Sequence, residues 1–368
     1  MKHKNILYIF IVLSLIAVTF FVFQNNPDSQ NIKIGALLIL TGTGAEWGQH
    51  SVQGIDLAVE EINARGGGLG KQLQIVYEDN PNDDGNSALT SLNKLIQDDV
   101  QIVVGTTWSG SGLATAPAAC ENKLLMISPT LGVAGFNEEC DYIFNLWPHD
   151  KYINEQYGAY IYQQGYNKIA IIGSQQIWEK EQADAIKKGF EEAGGEVVIF
   201  ENGLPNQKDF RTDVLKIKSS EAEAIAITRN FGVSLLSKDI KKAGLELPIY
   251  TAHLDASYLV EAEGSLEGAY SSNAFLPTEE FKTKFQGIYG VEPEIGADSS
   301  YDTIMFIAQA IESTQSTDPT VLKDYMNAVE VFEGASGKLI FDDKGGVDKT
   351  GYVTVAKGDQ LVFLENIQ

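Results

Sequence analysis

VQIVVGTTWSGSG, residues 100–112, decides the fold that we expect for this chain. Its first five residues are apolar apart from Gln101, as in a strand that is buried on both faces. A loop of glycine, threonine, serine and one tryptophan follows, and a helical pattern begins near Leu113. A buried strand followed by such a loop and a helix is typical of parallel α/β sheets, in which ligands bind beyond the carboxyl ends of the strands.

The same alternation of strands and helices extends on both sides of this stretch. In the first half, strands are predicted at residues 32–40, 73–77, 100–104 and 124–127, and helices at 52–62, 88–96 and 113–119. In the second half, strands are predicted at residues 168–172, 197–200, 224–228 and 248–251, and helices at 153–162, 183–193, 210–217 and 233–243. The sequence therefore predicts two Rossmann-like, doubly wound parallel-sheet units that meet near residues 147–150.

The C-terminal part has a mixed pattern. Helices are predicted at residues 281–289 and 301–311, and short strands at 338–341, 352–355 and 361–364. A turn rich in aspartate and glycine, residues 342–346, separates the first two of these strands.

Length and charge restrict the possible functions. A chain of 368 residues exceeds what one hydrophobic core usually serves, so two domains are expected. The formal net charge of −23 argues against a nucleic-acid partner and against an anionic membrane surface, because both need clustered lysine and arginine.

The N-terminus predicts export. Three basic or titratable residues, Lys2, His3 and Lys4, precede an apolar run at residues 6–23 that has no small-residue cleavage site after it. We expect residues 1–30 to form an uncleaved signal-anchor and tether, with a cleaved signal as the alternative. Membrane contact would then involve this helix only, and the rest of the chain would be extracytoplasmic.

The chain has two cysteines, Cys120 and Cys140. In an exported protein such a pair predicts a disulfide, and two separate buried thiols are the alternative.

Several chemical motifs are incomplete. Gly42, Gly44 and Gly48 are spaced one residue too widely for a dinucleotide fingerprint, and the chain contains no P-loop, no nucleophile elbow and no HExxH motif. Asp79 and Asp83 belong to a segment that fails the calcium-loop spacing. We therefore expect no cofactor and no metal.

A binding loop remains. Ser109, Gly110 and Ser111 stand where a helix is predicted to begin, and the positive end of a helix dipole suits a carboxylate. The alternative is that Ser109 only caps the helix. The tryptophans Trp47, Trp108, Trp147 and Trp178 fall at or near strand ends, which favours a shared aromatic cleft over scattered surface positions.

Three longer stretches carry a family resemblance: IKIGALLILTGTGAEWGQHSVQGIDLAVEEINARGGGLGKQLQIVYED, QIVVGTTWSGSGLATAPAACENKLLMISPT and KIAIIGSQQIW. From residue 31 onward the chain resembles type I periplasmic binding proteins of the leucine/isoleucine/valine-binding group. The resemblance implies two lobes, residues 31–149 with 275–335 and residues 150–274 with 336–368. A three-stranded hinge with crossings near Asp150, Asn273 and Ser336 would join them, with the ligand between the lobes.

The resemblance also implies roles for individual residues. Ser109 would hold a ligand carboxylate, and Thr130 would offer its carbonyl to a ligand ammonium. Gly132 and His253 stand where amino-acid-binding members have a threonine and an acidic residue, so ammonium capture is expected to be weak. The candidate ligand-binding residues are Trp47, Trp108, Ser109, Gly110, Ser111, Thr130, Leu131, Gly132, Trp178, Asn230, His253 and Tyr301.

The resulting expectation is a membrane-tethered solute-binding protein of an ABC importer, with a permease as its partner. Its ligand would be amino-acid-like or a carboxylate, and an aromatic compound or an amide fits the tryptophans better than leucine does. A ligand-sensing receptor component is the alternative. An enzyme would require a nucleophile–base pair such as Ser109 with His253, for which the sequence offers no third orienting residue.

Overall fold

The structure, a computed structural model, describes residues 31–42 and 44–367. The predicted N-terminal anchor lies outside the described residues. Within the described ranges, no helix combines the length and the apolar character needed to cross a bilayer.

The strands follow one another in three groups along the chain. They are β1 (Ile32–Leu38), β2 (Leu73–Asp79), β3 (Ile102–Gly105), β4 (Leu125–Ser128), β5 (Ile143–Asn145), β6 (Lys168–Ser174), β7 (Glu196–Gly203), β8 (Ala224–Ile227), β9 (Ile249–Thr251), β10 (Tyr270–Asn273), β11 (Val331–Gly334), β12 (Gly337–Phe341), β13 (Val347–Asp348), β14 (Tyr352–Lys357) and β15 (Gln360–Asn366).

The helices separate these strands. They are α1 (Ala45–Ala64), α2 (Gly85–Gln97), α3 (Ser109–Glu121), α4 (Asp150–Gln163), α5 (Ile177–Glu192), α6 (Arg211–Lys218), α7 (Val233–Lys242), α8 (Ala256–Ala262), α9 (Glu279–Tyr289), α10 (Ala297–Thr314) and α11 (Pro319–Asn327). A short 3-10 helix, Pro81–Asp83, precedes α2.

Two sheets form the centres of two lobes. The first sheet has the order β2-β1-β3-β4-β5, and all its neighbouring strands are parallel. The second has the order β15-β14-β10-β9-β8-β6-β7, in which β14 and β15 are antiparallel additions to a parallel sheet. The two predicted α/β units are therefore present, and each has helices covering apolar strands.

The chain returns to the first lobe after β10. Phe281 and Phe285 of α9, and much of α10, pack in the same apolar core as β1 and α1. This return is the one that the family resemblance implied. It places the second crossing between Asn273 and α9.

The third crossing differs from the expected position at Ser336. Phe332, Leu339 and Val347 of the three-stranded sheet β11-β12-β13 pack in the first core, whereas Val353 of β14 packs in the second. Residues 336–348 therefore pack with the first lobe. The reason is that β12 pairs with β11 on one side and β13 on the other, so the hairpin cannot divide between lobes.

A disulfide closes a loop within the first lobe. It joins Cys120, near the end of α3, to Cys140, before β5, with 6.1 Å between the Cα atoms. The bond ties the segment that follows β4 to the helix that begins at Ser109.

Candidate functional site

A cavity lies between the two lobes, at the carboxyl ends of the parallel strands. Its empty space is about 680 Å³, a figure that includes its opening to solvent. One wall of the cavity consists of the loops after β3 and β4 and the first turn of α1. The opposite wall consists of the loops after β8 and β9 and the start of α5. The lining residues are Trp47, Thr107, Trp108, Ser109, Thr130, Gly132, Trp147, Asp150, Ile153, Asn154, Gln176, Trp178, Glu179, Asn230, Phe231, Ala252, His253, Ser272, Asn273, Ala274 and Ile295.

All four tryptophans line this cavity. Trp47 meets Trp108 edge to face, with 5.7 Å between ring centroids. Each of them also contacts a ring from the second lobe: Trp108 lies 5.1 Å from Phe231, and Trp47 lies 5.3 Å from His253. These contacts connect the two walls and give the cavity an apolar, aromatic interior.

The other two indoles converge on one carboxyl group. Trp147 donates its Nε1–H to Asp150 Oδ1 at 2.9 Å, and Trp178 donates to Asp150 Oδ2 at 2.7 Å. Burial raises the pKa of Asp150 to about 6, while the two indole donors and the charge of His253 oppose that rise. Asp150 therefore fixes both rings in place, and both its oxygens are bonded within the protein.

Gly132 permits this arrangement. A Cβ atom on Gly132 would lie 1.9 Å from Asp150 Oδ2 and 2.5 Å from Trp178 Nε1. The Gly132 carbonyl also accepts the Asp150 N–H at 2.9 Å. Where the resemblance implied a threonine hydroxyl for the ligand, this chain uses the space for its own indole–carboxylate pair.

Three buried polar atoms of the lining have no hydrogen-bond partner in the described part of the chain. They are Trp108 Nε1, Asn230 Oδ1 and His253 Nε2. A buried polar group without a partner is costly, so these atoms are the natural contacts for polar groups of a ligand.

The start of α3 is organised differently from the sequence-based expectation. Ser109 is the first residue of the helix, and Trp108, not Ser109, occupies the capping position. Gly110 and Ser111 do not line the cavity. Their N–H groups donate to the carboxylate of Asp83, at 3.1 and 2.7 Å. Of the three residues predicted to bind a ligand carboxylate, Gly110 and Ser111 thus use their amides within the protein, whereas Ser109 lines the cavity.

Two further candidate residues lie away from the cavity. Leu131 is fully buried in the core of the first lobe. Tyr301 lies on α10 and donates its hydroxyl to Glu61 at 2.8 Å, in a groove elsewhere on that lobe. Leu131 alternates with residues that do reach the cavity, and helix α10 directs Tyr301 against α1.

The sequence interpretation missed Asp150, Gln176 and Glu179 as lining residues. Glu179 Oε1 accepts the N–H groups of Asn230, at 2.8 Å, and Phe231, at 3.4 Å, and Glu179 also accepts from the Ser174 hydroxyl. Burial raises the pKa of Glu179, although these donors oppose the rise. Glu179 directly follows Trp178 in the sequence, and this position was the feature from which its place in the lining could have been predicted.

The hypothetical enzyme pair of Ser109 and His253 is not hydrogen-bonded in the described structure. His253 Nε2 lies 3.8 Å from Asp255 Oδ2, beyond hydrogen-bond length, and that oxygen already accepts the Trp47 indole N–H at 3.2 Å. Neither Ser109 nor Asp255 is therefore hydrogen-bonded to His253 Nε2 in the described structure.

Asp150→Asn tests the burial of this carboxyl group. Because the folded-state pKa is raised, ionisation of Asp150 opposes folding as pH rises through about 6. The unfolding free energy of D150N minus that of wild type should therefore increase from about pH 4 to about pH 7. Asp150 retains some exposure, so we expect a rise of at most about 3 kcal/mol. Urea unfolding at a series of pH values measures it, and a constant difference would contradict the burial argument.

The chain is similar in sequence to known binding proteins. The sequence model of a family described as "Periplasmic binding protein" matches residues 31–360. The chain is 27% identical over 344 residues to a Leu/Ile/Val-binding protein homolog 2 of Brucella abortus, covering 88% of this chain and 89% of that protein. It is also 27% identical to a leucine-, isoleucine-, valine-, threonine- and alanine-binding protein of Pseudomonas aeruginosa, covering 86% and 87%.

A solved structure shares the architecture. The branched-chain amino acid transporter substrate-binding protein LivJ of Streptococcus pneumoniae, in complex with isoleucine, superposes with a TM-score of 0.82 at 25% identity. The similarity covers 91% of this chain and 100% of that one.

Proposed function

The chain belongs to the periplasmic binding protein family, and from this premise we propose that it captures a small solute in the cavity between its lobes and presents it to an ABC importer. The observation that carries the proposal is the cavity itself. In the described part of the chain, four indoles and three unpartnered polar atoms from both lobes line one cavity between the lobes. Such a combination of an apolar lining and a few polar groups is typical of small-molecule sites.

The proposed ligand is a small amino-acid-like compound or carboxylate, or an aromatic compound or amide of similar size. The relatives are named for branched-chain amino acids. In this chain, Asp150 and Glu179 are the carboxyl groups that line the cavity, and the oxygens of both accept bonds from protein donors. An α-ammonium group therefore lacks a free carboxylate, which favours ligands without one.

Capture would proceed by closure of the lobes. The ligand would dock first on the first lobe, against Ser109, Thr130 and Trp108. The second lobe would then bring Trp178 and Phe231 over it, by rotation about the crossings. No bond is made or broken, and the closed shape is what a permease would recognise.

The proposed location is extracytoplasmic, with the N-terminal segment as anchor or signal. Support comes from the family and from the disulfide between Cys120 and Cys140, since such bonds persist in oxidising compartments.

A thermal-shift panel tests the proposal. We expect at least one aromatic acid or amide to raise the melting temperature of the protein more than leucine does, because a ligand that binds only the native state stabilises it. Trp108→Phe keeps an aromatic ring but removes the unpartnered Nε1–H with the five-membered ring, so affinity for that compound should fall at least about 5-fold, equivalent to one neutral hydrogen bond.

Tyr152→Phe is the matched control, since Tyr152 is 52% exposed and lies outside the cavity. If no compound of the panel raised the melting temperature, or if W108F bound as tightly as wild type, the result would count against the proposal.

A further inference from the structure

Asp83 occupies the position at the start of α3 where an anion would bind. Gly110 N–H donates to Asp83 Oδ2 at 3.1 Å, Ser111 N–H donates to Oδ1 at 2.7 Å, and the Ser111 hydroxyl lies 2.8 Å from Oδ1. Helix N-termini attract anions through such amides. Here the anion is a side chain of the same protein.

The local backbone is shaped to place this carboxylate. Asn82 and Asp83 both have positive φ, 59° and 57°, a region that residues with a side chain rarely enter. Gly110 lacks a Cβ, and one added there would lie 2.6 Å from Asp83 Oδ2. The left-handed turn, which asparagine and aspartate enter more readily than other residues with a side chain, and the glycine together position this contact.

Asp83 also borders the ligand cavity. Gln176 donates from Nε2 to Asp83 Oδ2 at 3.4 Å, across the gap between the lobes. Both Gln176 and Ser109, the residue before Gly110, line the cavity. The described lining contains no lysine or arginine, so the charge of Asp83 is met only by the hydrogen bonds from Gly110, Ser111 and Gln176 and not by a cation.

We infer that Asp83 is a specificity-determining residue that fills the anion position of α3 and so directs the site toward ligands whose hydrogen-bonding end is uncharged, such as a carboxamide, over carboxylates. The inference rests on the proposed function, because it names the ligand class of the same cavity. Two carboxylates that approach the same helix end repel each other, whereas an amide oxygen accepts from Ser109 or Trp108 without that cost. Asp83 acts through the helix end and is a positioning residue.

The first test compares benzamide with benzoate by titration calorimetry on the full chain. Wild type should bind benzamide at least 10-fold more tightly than benzoate. Asp83→Asn keeps the shape and removes the charge, so D83N should lose or reverse this preference. Asp84→Asn is the matched control: Asp84 caps α2 by accepting Ser87 N–H at 2.7 Å, and D84N should keep the wild-type preference.

A second test needs no aromatic ligand. Asp83→Ala leaves the amides of Gly110 and Ser111 without a partner, so added acetate should raise the melting temperature of D83A and leave that of wild type unchanged. Absence of that rescue would overturn the assignment of Asp83 as the anion at α3.

The outcomes separate this inference from the proposed function. Three results would overturn the inference and leave solute capture standing. Wild type could bind benzoate more tightly than benzamide, or D83N could keep the wild-type preference. The third is that neither probe binds while another panel compound does. A panel with no binder at all would remove the proposed function and this inference with it.

Discussion

Gly132→Thr is expected to abolish ligand capture, with a loss of affinity of at least about 100-fold, or about 3 kcal/mol. The added Cβ would lie 1.9 Å from Asp150 Oδ2 and 2.5 Å from Trp178 Nε1, so the carboxylate or the indole must move. Moving either breaks the bond of 2.7 Å between them and overfills the cavity wall, and overpacking of this kind costs 1–3 kcal/mol in its own right.

The measurement is calorimetric binding of the strongest panel compound, with thermal unfolding recorded in parallel. Gly287→Ala serves as control, because Gly287 is in α9, has no positive φ, and its added Cβ would have no neighbour within 4 Å. Wild-type affinity in G132T, or newly gained leucine binding through the threonine hydroxyl, would show that the indole–carboxylate pair does not define the site.

The alternation of strands and helices was predictable because local periodicity reports it directly. Strands β1 to β4 and β6 to β9 all overlap segments predicted as strands from their apolar character or, for β2, from alternation, with ends shifted by a few residues. Short elements such as β5, β10 and α8 escaped prediction. Their sequences, IFN, YSSN and ASYLVEA, contain no apolar run of four residues, and their structure depends on neighbours distant in sequence.

The position of the cavity was predictable for the same reason. Parallel strands bring their carboxyl ends to one edge, so Trp47, Trp108 and Trp178 could be expected there together. Which atoms remain free at that edge was not predictable. Asp83 reaches the α3 amides from a turn 27 positions before Gly110, and that contact depends on positive φ values that the residue types Asn82 and Asp83 do not require.

The contacts of Asp150 could not be predicted from the sequence either. Asp150 was identified as a residue near the boundary at 147–150, where the pattern of strands and helices starts again. Its contact with Trp178 joins residues 28 positions apart and depends on the space at Gly132. A sequence without structure gives no measure of that space.

Arg229 is the second residue whose replacement is expected to have a large effect. It is 1% exposed, and its guanidinium donates to the carbonyls of Gly173 at 2.9 Å and Leu204 at 2.8 Å, with longer bonds to Pro205 and Phe231. Burial lowers the pKa of Arg229, and the charge of Glu179 opposes that shift. The arginine thus ties the end of β6 to the loop after β7 and to the loop after β8, which carries Asn230 and Phe231.

Arg229→Met keeps the length of the side chain but removes every donor. The buried Gly173 carbonyl loses this donor and Glu179 loses its nearby positive charge, so we expect the unfolding free energy to fall by about 4 kcal/mol. Lys208→Met, at an exposed position of the adjacent loop, should change it by less than about 0.5 kcal/mol.

The double variant with Glu179→Gln separates the two causes. If the uncompensated Glu179 charge contributes, R229M/E179Q should be more stable than the sum of the two single effects predicts, by about 1 kcal/mol or more. If only the carbonyl bonds matter, the effects should add. Urea unfolding of all four proteins measures the coupling. An R229M variant within about 1 kcal/mol of wild type would mean that Arg229 does not hold the second wall of the cavity in place, because the loops bearing Asn230 and Phe231 would then be stable without it.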